Sequence, residues 1–298
     1  VSNTSVTMNA ASMENSGFEF SATYRNRDHA FKYDISANVS TLKNKVTSLG
    51  IGKDSYISGA YATYVGQEIG QFYGWVYKGI ARTQEDLDNN AVQQGANIGD
   101  CLYEDISGPE GKPDGVIDAY DQTVLGSGLP KVNFGLSTHM EYKGFDLNIS
   151  TYGVLNYHVS DDIYNSLNSC YGYGNKEVGM LDANRWSEDG STYLSSVPRT
   201  YAANNATLAW NDLFSSRKIQ NAAYWKIANV ELGYNFPDKW FGGYVSGVRL
   251  YVSAQNLYTF TGYHGYNVDY AGGTFTPGYN FCSFPSARTF MCGLHFTF

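Results

Sequence analysis

At 298 residues the chain is long enough for one large domain or two ordinary ones. Aromatic residues make up 16% of it, with 26 Tyr and 16 Phe, and 32 Gly stand against 7 Pro, which favours strand over helix. The net charge of -8 offers no basic field for the phosphates of a nucleic acid, and no run of about 18 apolar residues could cross a bilayer as a helix.

In chain order, the first segment, beginning Val1-Ser2-Asn3-Thr4-Ser5, lacks the basic, apolar and small-residue succession of a signal peptide, so the start that an exported protein needs is expected to be missing. Phe18, Phe20, Ala22 and Tyr24 alternate with polar residues and predict a first strand. The next is the clearest: Phe31, Tyr33, Ile35, Ala37 and Val39 interleave with Lys32, Asp34, Ser36, Asn38 and Ser40. Weaker strands are predicted near 57 to 65 and 70 to 80. Val132, Phe134 and Leu136 mark another, and Phe145, Leu147 and Ile149 alternate with Asp146, Asn148 and Ser150 in the one after it. Ala228, Val230, Leu232, Tyr234 and Phe236 form one face of a later strand, Val248, Leu250, Val252 and Ala254 that of the next, and the last runs over 286 to 298. The segments are about ten residues long, what a tilted strand needs to cross a bilayer, and number about nine.

The connections alternate in length. Residues 26 to 30, 66 to 69, 142 to 143 and 237 to 246 are short and turn-like, whereas 44 to 56, 81 to 130, 157 to 221 and 260 to 285 are long and polar. Outer-membrane barrels pair short periplasmic turns with long extracellular loops, so with Phe298 at the periplasmic face every long loop falls outside the cell. A soluble β-sandwich or β-helix also alternates, but its connections are typically about 4 to 6 residues and rarely exceed about 15. The predicted class is therefore all-β, a transmembrane antiparallel β-barrel. Single-chain bacterial barrels use even numbers of strands and must close, so with about nine here the remainder is expected upstream, whether this chain is a fragment or one piece of a divided protein.

Several stretches carry a family resemblance. Residues 288 to 298 (RTFMCGLHFTF), with Phe290, Leu294, Phe296 and Phe298 on one face, look like the terminal strand by which outer-membrane proteins are recognised for barrel assembly. GQFYGWVYKGI at 70 to 80, Arg185-Trp186 followed by Pro198-Arg199, WKIANVELGYNFP at 225 to 237 and LYVSAQNLYTFTGYHGY at 250 to 266 resemble, in family order, the end of SusC/RagA-like TonB-dependent transporters of Bacteroidetes. The resemblance implies that 1 to 298 is the C-terminal portion of a 22-stranded outer-membrane barrel. It also implies an upstream plug domain and TonB box, neither present in this sequence, a SusD-like surface lipoprotein, and energy from the TonB complex. The implied activity is active import of an oligosaccharide or peptide; a passive porin and a soluble glycan-binding module are the alternatives, and the residues preceding Val1 would separate importer from porin.

Within the 81 to 130 connection, DISGPEGKPDGVIDAYD at 105 to 121 follows from Asp114 onward the second half of an EF-hand-type loop, with Gly115 for the turn and Asp118 and Asp121 as further carboxylates. Asp105 joins such a Ca²⁺ set only if the inserted 108 to 113 loops out; the alternative is a solvated acidic turn. The aromatics Tyr171, Tyr173, Trp186, Tyr201, Trp210, Tyr263, Tyr266, Tyr270, Phe275 and Tyr279 stand among Asn, Asp and Gly in the long loops, where exposed rings stack on sugar faces; the alternative is that they pack the loops together. Nothing points to an enzyme. The five His, at 29, 139, 158, 264 and 295, lack ligand spacing, no G-x-S-x-G is present, and Ser215-Ser216-Arg217-Lys218 matches S-x-x-K without companion motifs. Cys101, Cys170, Cys282 and Cys292 show no CxxC spacing. Cys292 reads as an apolar filler in its strand, and the other three lie in predicted loops.

Overall fold

Period-two patterning of this kind can bury or present a whole face at once, and in a computed structural model it does so across one continuous sheet. The structure describes residues 11–50, 52–169, 175–177, 186–187, 197–200, 210–241, 245–269, 272–281 and 283–298. The sheet comprises β1 (Glu19–Asn26), β2 (Phe31–Thr41), β3 (Val132–Tyr142), β4 (Phe145–Leu155), β5 (Tyr224–Phe236), β6 (Gly247–Thr261) and β7 (Thr289–Thr297). Each pairs antiparallel with its neighbours in the chain, so the seven strands lie in sequence order, an up-and-down meander.

The register lines up side chains of one kind. Ile35 lies opposite Thr138, Thr138 opposite Ile149, Ile149 opposite Val230, and Val230 opposite Ala254, which faces Phe290. One residue along, Asp34, His139, Asn148, Glu231 and Ser253 form the corresponding polar row. The apolar face is open: Phe20, Ile35, Leu136, Phe145, Leu232, Leu250, Val252, Phe290 and Leu294 are all exposed. A soluble surface rarely presents an apolar patch of that extent, whereas a lipid-facing wall requires it.

Aromatic residues border this face at both ends. Phe31, Tyr142 and Phe145 cluster toward one end with Tyr234, whose ring centroid lies 4.6 Å from that of Phe145. Trp225 and Phe260 stack at the other, 5.3 Å apart and 22° from parallel. Between Trp225 and Tyr234, β5 covers roughly 26 Å along its axis, and a tilt of about 40° turns this into roughly 20 Å of depth, close to the apolar band between the aromatic girdles of outer-membrane barrels.

A bulge corrects one strand assignment. On β5 the pairing with β4 and β6 shifts between Ile227 and Asn229, so Ala228 is an extra residue, and β6 takes up its own irregularity near Asn256 at φ 51°. The apolar face therefore passes from Val230 to Ile227 and Trp225, and on β6 from Ala254 to Tyr258 and Phe260. Strict alternation, which put Ala228 on that face, holds only up to the bulge.

Among the described residues the sheet has seven strands where the sequence suggests about nine. Ser55–Ser58, Tyr61–Tyr64 and Gln71–Gly74 join Thr123–Ser127 in a separate four-stranded sheet, and Tyr77–Ile80 pairs with Cys101–Tyr103. Strands of four residues show too few alternations to reveal their sheet, and these belong to loop structure: Ser55–Ser58 is exposed throughout, whereas Tyr61, Ala62, Thr63 and Phe72 are buried, Phe72 at 0% exposure. The stretches 44 to 56 and 81 to 130 are thus parts of one connection, from the end of β2 to the start of β3. The length asymmetry survives in sharper form. The links β1–β2, β3–β4 and β5–β6 are short and lie at the end where Phe296 pairs with Val248; β2–β3, β4–β5 and β6–β7 are long and lie at the other. The tightest short link is Lys143–Gly144, at φ 48° and 87°, a two-residue turn with positive φ at both positions whose twist suits a hairpin.

The long connections pack into one another. Val154, Tyr157, Val159, Ala222, Tyr224, Tyr263 and Val268 make one core; Cys101, Tyr103 and Ile117, with Trp75, Trp210 and Leu213 against them, make a second. Gly278, at φ 74°, lets all three long connections meet: a Cβ there would lie 2.4 Å from the carbonyl oxygen of His158 and 2.8 Å from the Cα of Gly128.

Candidate functional site

The polar face of the sheet is organised by a few side chains from different strands. Arg249 on β6 donates to both carboxylate oxygens of Asp146 on β4, Nε to Oδ2 at 3.0 Å and Nη2 to Oδ1 at 2.5 Å, and its Nη2 also donates to Glu231 at 2.7 Å. The Asn235 amide donates to Asp146 at 2.9 Å. Between these groups lies Gly233, where a Cβ would come within 2.5 Å of Arg249 and of Asp146. Nearby, His139 lies 2.6 Å from the Asn148 side-chain oxygen and 2.8 Å from Glu141, and Arg27 pairs with Asp34. With Thr23, Ser36, Ser137 and Ser150, these residues make a hydrophilic wall opposite the greasy one, as the inside of a water-filled barrel requires.

On the long-connection side, most of the described aromatics proposed for ligand stacking serve packing. Trp186 is 9% exposed and lies against Gly99. Trp210 donates its indole N–H to the carbonyl of Gln94 at 3.0 Å, and its own carbonyl accepts from the Tyr103 hydroxyl. Tyr263 is buried; its hydroxyl donates to Asp161 and accepts from the Asn280 amide at 2.7 Å, and burial, followed by the Asp161 carboxylate, pushes its pKa above the usual range. Phe275 meets Tyr56 at 5.8 Å, and Tyr279 meets the edge of Tyr61 at 6.4 Å. Tyr266 remains presented to solvent, at 64% exposure, over a cleft lined by Asn256, Thr259, Asn267 and Arg288. Tyr171, Tyr173, Tyr201 and Tyr270, like Arg185, Cys170 and Cys282, lie outside the described residues.

The acidic segment uses its carboxylates on its own backbone. Asp121, fully buried, accepts from the amides of Ile106 at 2.8 Å, Ser107 at 3.1 Å and Asp118 at 2.9 Å. Asp105 accepts from Gly115 at 2.7 Å, Asp114 from Val116 at 3.0 Å, and Asp118 from Tyr120 at 2.7 Å, capping the short turn that follows. Among the described residues, no group of three or more His, Cys, Asp or Glu is placed to hold a metal ion. Asp121 thus binds the Ile106 and Ser107 amides at the place where an EF-hand-type loop turns its last carboxylate onto a cation.

Several buried polar contacts carry no local sequence signal, because their members are about a hundred residues apart. Asp100, 1% exposed, accepts from Arg199 at 2.6 and 2.8 Å and from Asn211 at 2.8 Å; Asp161 gathers Tyr263 and Asn280. Ser215 and Lys218 belong to one turn, Ser215 being buried while Lys218 donates to the Asp212 carbonyl at 2.5 Å. Cys101 is buried in the second loop core, and Cys292 points with Val252 onto the open apolar face.

No family model matches the sequence. Among curated proteins the chain is 30% identical over 309 residues to TonB-dependent receptor P3 of Formosa agariphila, covering 97% of this chain and 29% of that protein. It is 26% identical over 316 residues to TonB-dependent receptor SusC of Bacteroides thetaiotaomicron, covering 99% and 27%. Among solved structures it superposes on the RagAB peptide transporter with a TM-score of 0.75 at 20% identity, covering 96% of this chain and 29% of that one. The RagAB peptide importer in its open-open state gives 0.73 at 21%, covering 97% and 29%. The chain thus spans less than a third of the length of the curated relatives it matches. A meander greasy on one face and charged on the other, with every long connection at one end, agrees with these likenesses, and the chain belongs to the SusC/RagA-like TonB-dependent receptors of the bacterial outer membrane, as part of their β-barrel.

Proposed function

We propose that the protein to which this chain contributes imports a nutrient, an oligosaccharide or a peptide, across the outer membrane, with TonB coupling and a SusD-like lipoprotein over the long connections. The observation that carries this reading is the two-faced sheet, apolar outside and held by the Asp146–Arg249–Glu231 contacts inside, joined at one end by all the long connections. In the sheet order β1 and β7 are the edges, and backbone groups left unpaired in lipid cost several kcal/mol each, so further strands of the same protein must close the barrel. A barrel of about 22 strands has a lumen wide enough to need a plug, and a solute held above a plug passes only when the plug is moved. We assign this chain to the C-terminal portion of such a barrel, with plug and TonB box upstream, and keep Tyr266 as a substrate contact. The test is uptake by cells carrying the intact parent protein, with and without TonB coupling. Loss of uptake with surface binding retained is expected; uptake continuing at the normal rate would identify a passive porin.

A further inference from the structure

Where the long connections meet, a cleft of about 280 Å³ is lined by Tyr77 from the first and by Tyr164, Asn165, Asn168, Arg217 and Lys218 from the second. The third closes in through His264, whose ring stacks on Tyr164 at 5.6 Å and 15° from parallel. In a chain with 28 acidic residues against 20 basic ones, the described residues of the cleft lining include two cations and no carboxylate. Glu177, exposed at the rim, accepts from the Asn168 amide at 2.9 Å. Lys218 is engaged, donating to the Asp212 carbonyl and lying 3.9 Å from its carboxylate. Arg217 is half-buried and forms no ion pair among the described residues. Its backbone is anchored: the adjacent Ser216 amide donates to the Trp75 carbonyl at 3.0 Å, and the Ser216 hydroxyl accepts from the Tyr77 amide at 3.0 Å.

A half-buried guanidinium with no ion pair among the described residues, on an anchored stretch of backbone in a cleft that two tyrosines also line, suits a planar two-oxygen anion, to which its fork donates in parallel. Lys218, the other cation of the lining, is already committed to Asp212, so the charged donors are those of the Arg217 fork, which match two oxygens. We propose that this cleft binds a carboxylate of the transported solute, so that the protein selects acidic oligomers over neutral ones. The proposal rests on the import reading above and narrows its substrate class. The carboxylate could belong to a uronic-acid unit of an oligosaccharide or to the C-terminus of a peptide.

The experiment is calorimetric titration of the full-length protein, as it purifies from the outer membrane with any bound partner, using two matched sets of probes. One set is oligogalacturonate and its methyl ester; the other is a panel of short peptides with free and with amidated C-termini. In one set the acid should bind on the order of tenfold or more tightly than its neutral counterpart, and which set does so identifies the source of the carboxylate. Arg217→Gln should abolish the preference while leaving the neutral member's affinity unchanged, and Arg217→Lys should retain part of it. No preference for the acid in either set, binding by none of the probes included, overturns the proposal. So does an equal loss for acid and neutral members in Arg217→Gln, which would show a structural role. Binding needs no energy coupling, so failure here leaves TonB-dependent import standing, and failure of import leaves the preference measurable.

Discussion

Ile149 and Ser150 are consecutive residues at the middle of β4 with opposite fates, and arginine at each measures what lies on either side of the sheet. Ile149 stands on the apolar face, opposite Thr138 and Val230, midway between Phe145 and Gly153, the partner of Trp225. Ser150 stands on the polar face, exposed, opposite Ser137 and Asn229. Arginine on the lipid face near the bilayer midplane costs about 2–4 kcal/mol. Losing the half-buried isoleucine side chain adds about 1 kcal/mol, for a total of about 3–5 kcal/mol, or roughly two to four orders of magnitude in the folded-to-unfolded ratio. Ser150→Arg meets water and neutral polar neighbours and should cost less than about 0.5 kcal/mol. The assay is unfolding of the full-length protein in liposomes, read by heat-modifiable migration, together with its abundance in the outer membrane. Ile149→Arg should deplete the folded form strongly and Ser150→Arg hardly at all. Equal tolerance of both would mean that β4 does not cross lipid, and the reverse order would invert the assignment of the faces.

Removing Asp146 strips Arg249 of its bidentate partner while leaving it Glu231, so Asp146→Ala should destabilise the barrel by about 1–3 kcal/mol; a double-mutant cycle with Arg249→Ala that shows strict additivity would deny the coupling. Burial, with Lys131 nearby, holds the His158 pKa below its ordinary value in the packed loops, against a weaker opposing bond to the Ser127 backbone. The unfolded chain then binds the proton more readily, so this contribution is complete above about pH 6.5 and is lost as pH falls through the depressed folded value. The melting temperature should therefore drop further between about pH 7.5 and about pH 5.5 in the parent than in His158→Gln, and equal drops would refute this. Phe298, 91% exposed and stacked on Phe296 at 6.5 Å, should be needed for insertion; deletion that leaves outer-membrane levels normal counts against the assembly role. Since Asp121 holds residues 105 to 121 through three amides, chelating Ca²⁺ should leave the protease resistance of this segment unchanged, whereas Asp121→Asn should lower it; protection that appears only with Ca²⁺ would restore the metal loop.

Local sequence carries the membrane face of this protein because a strand returns to the same side every second residue, so Phe31, Tyr33, Ile35, Ala37 and Val39 declare a wall without reference to anything distant. The alternation of short and long connections is equally local, which is why the polarity of the meander and the end at which the long loops gather could be read before any pairing was known. Three things depended on tertiary structure. The bulge at Ala228 is visible only against the register of both neighbouring strands. The short strands between 55 and 80 are recruited into loop structure by Thr123–Ser127 and Cys101–Tyr103, far along the chain. The ligand-facing chemistry was the least legible: Trp186, Trp210 and Tyr263 have the composition of a binding surface but are consumed by packing. Arg217, in a stretch resembling only a chance motif, has no carboxylate partner among the described residues, and which charges become its neighbours is decided by the folding of three separate connections. A face is a property of periodicity along one strand; a site is a property of distances between residues that the sequence keeps far apart.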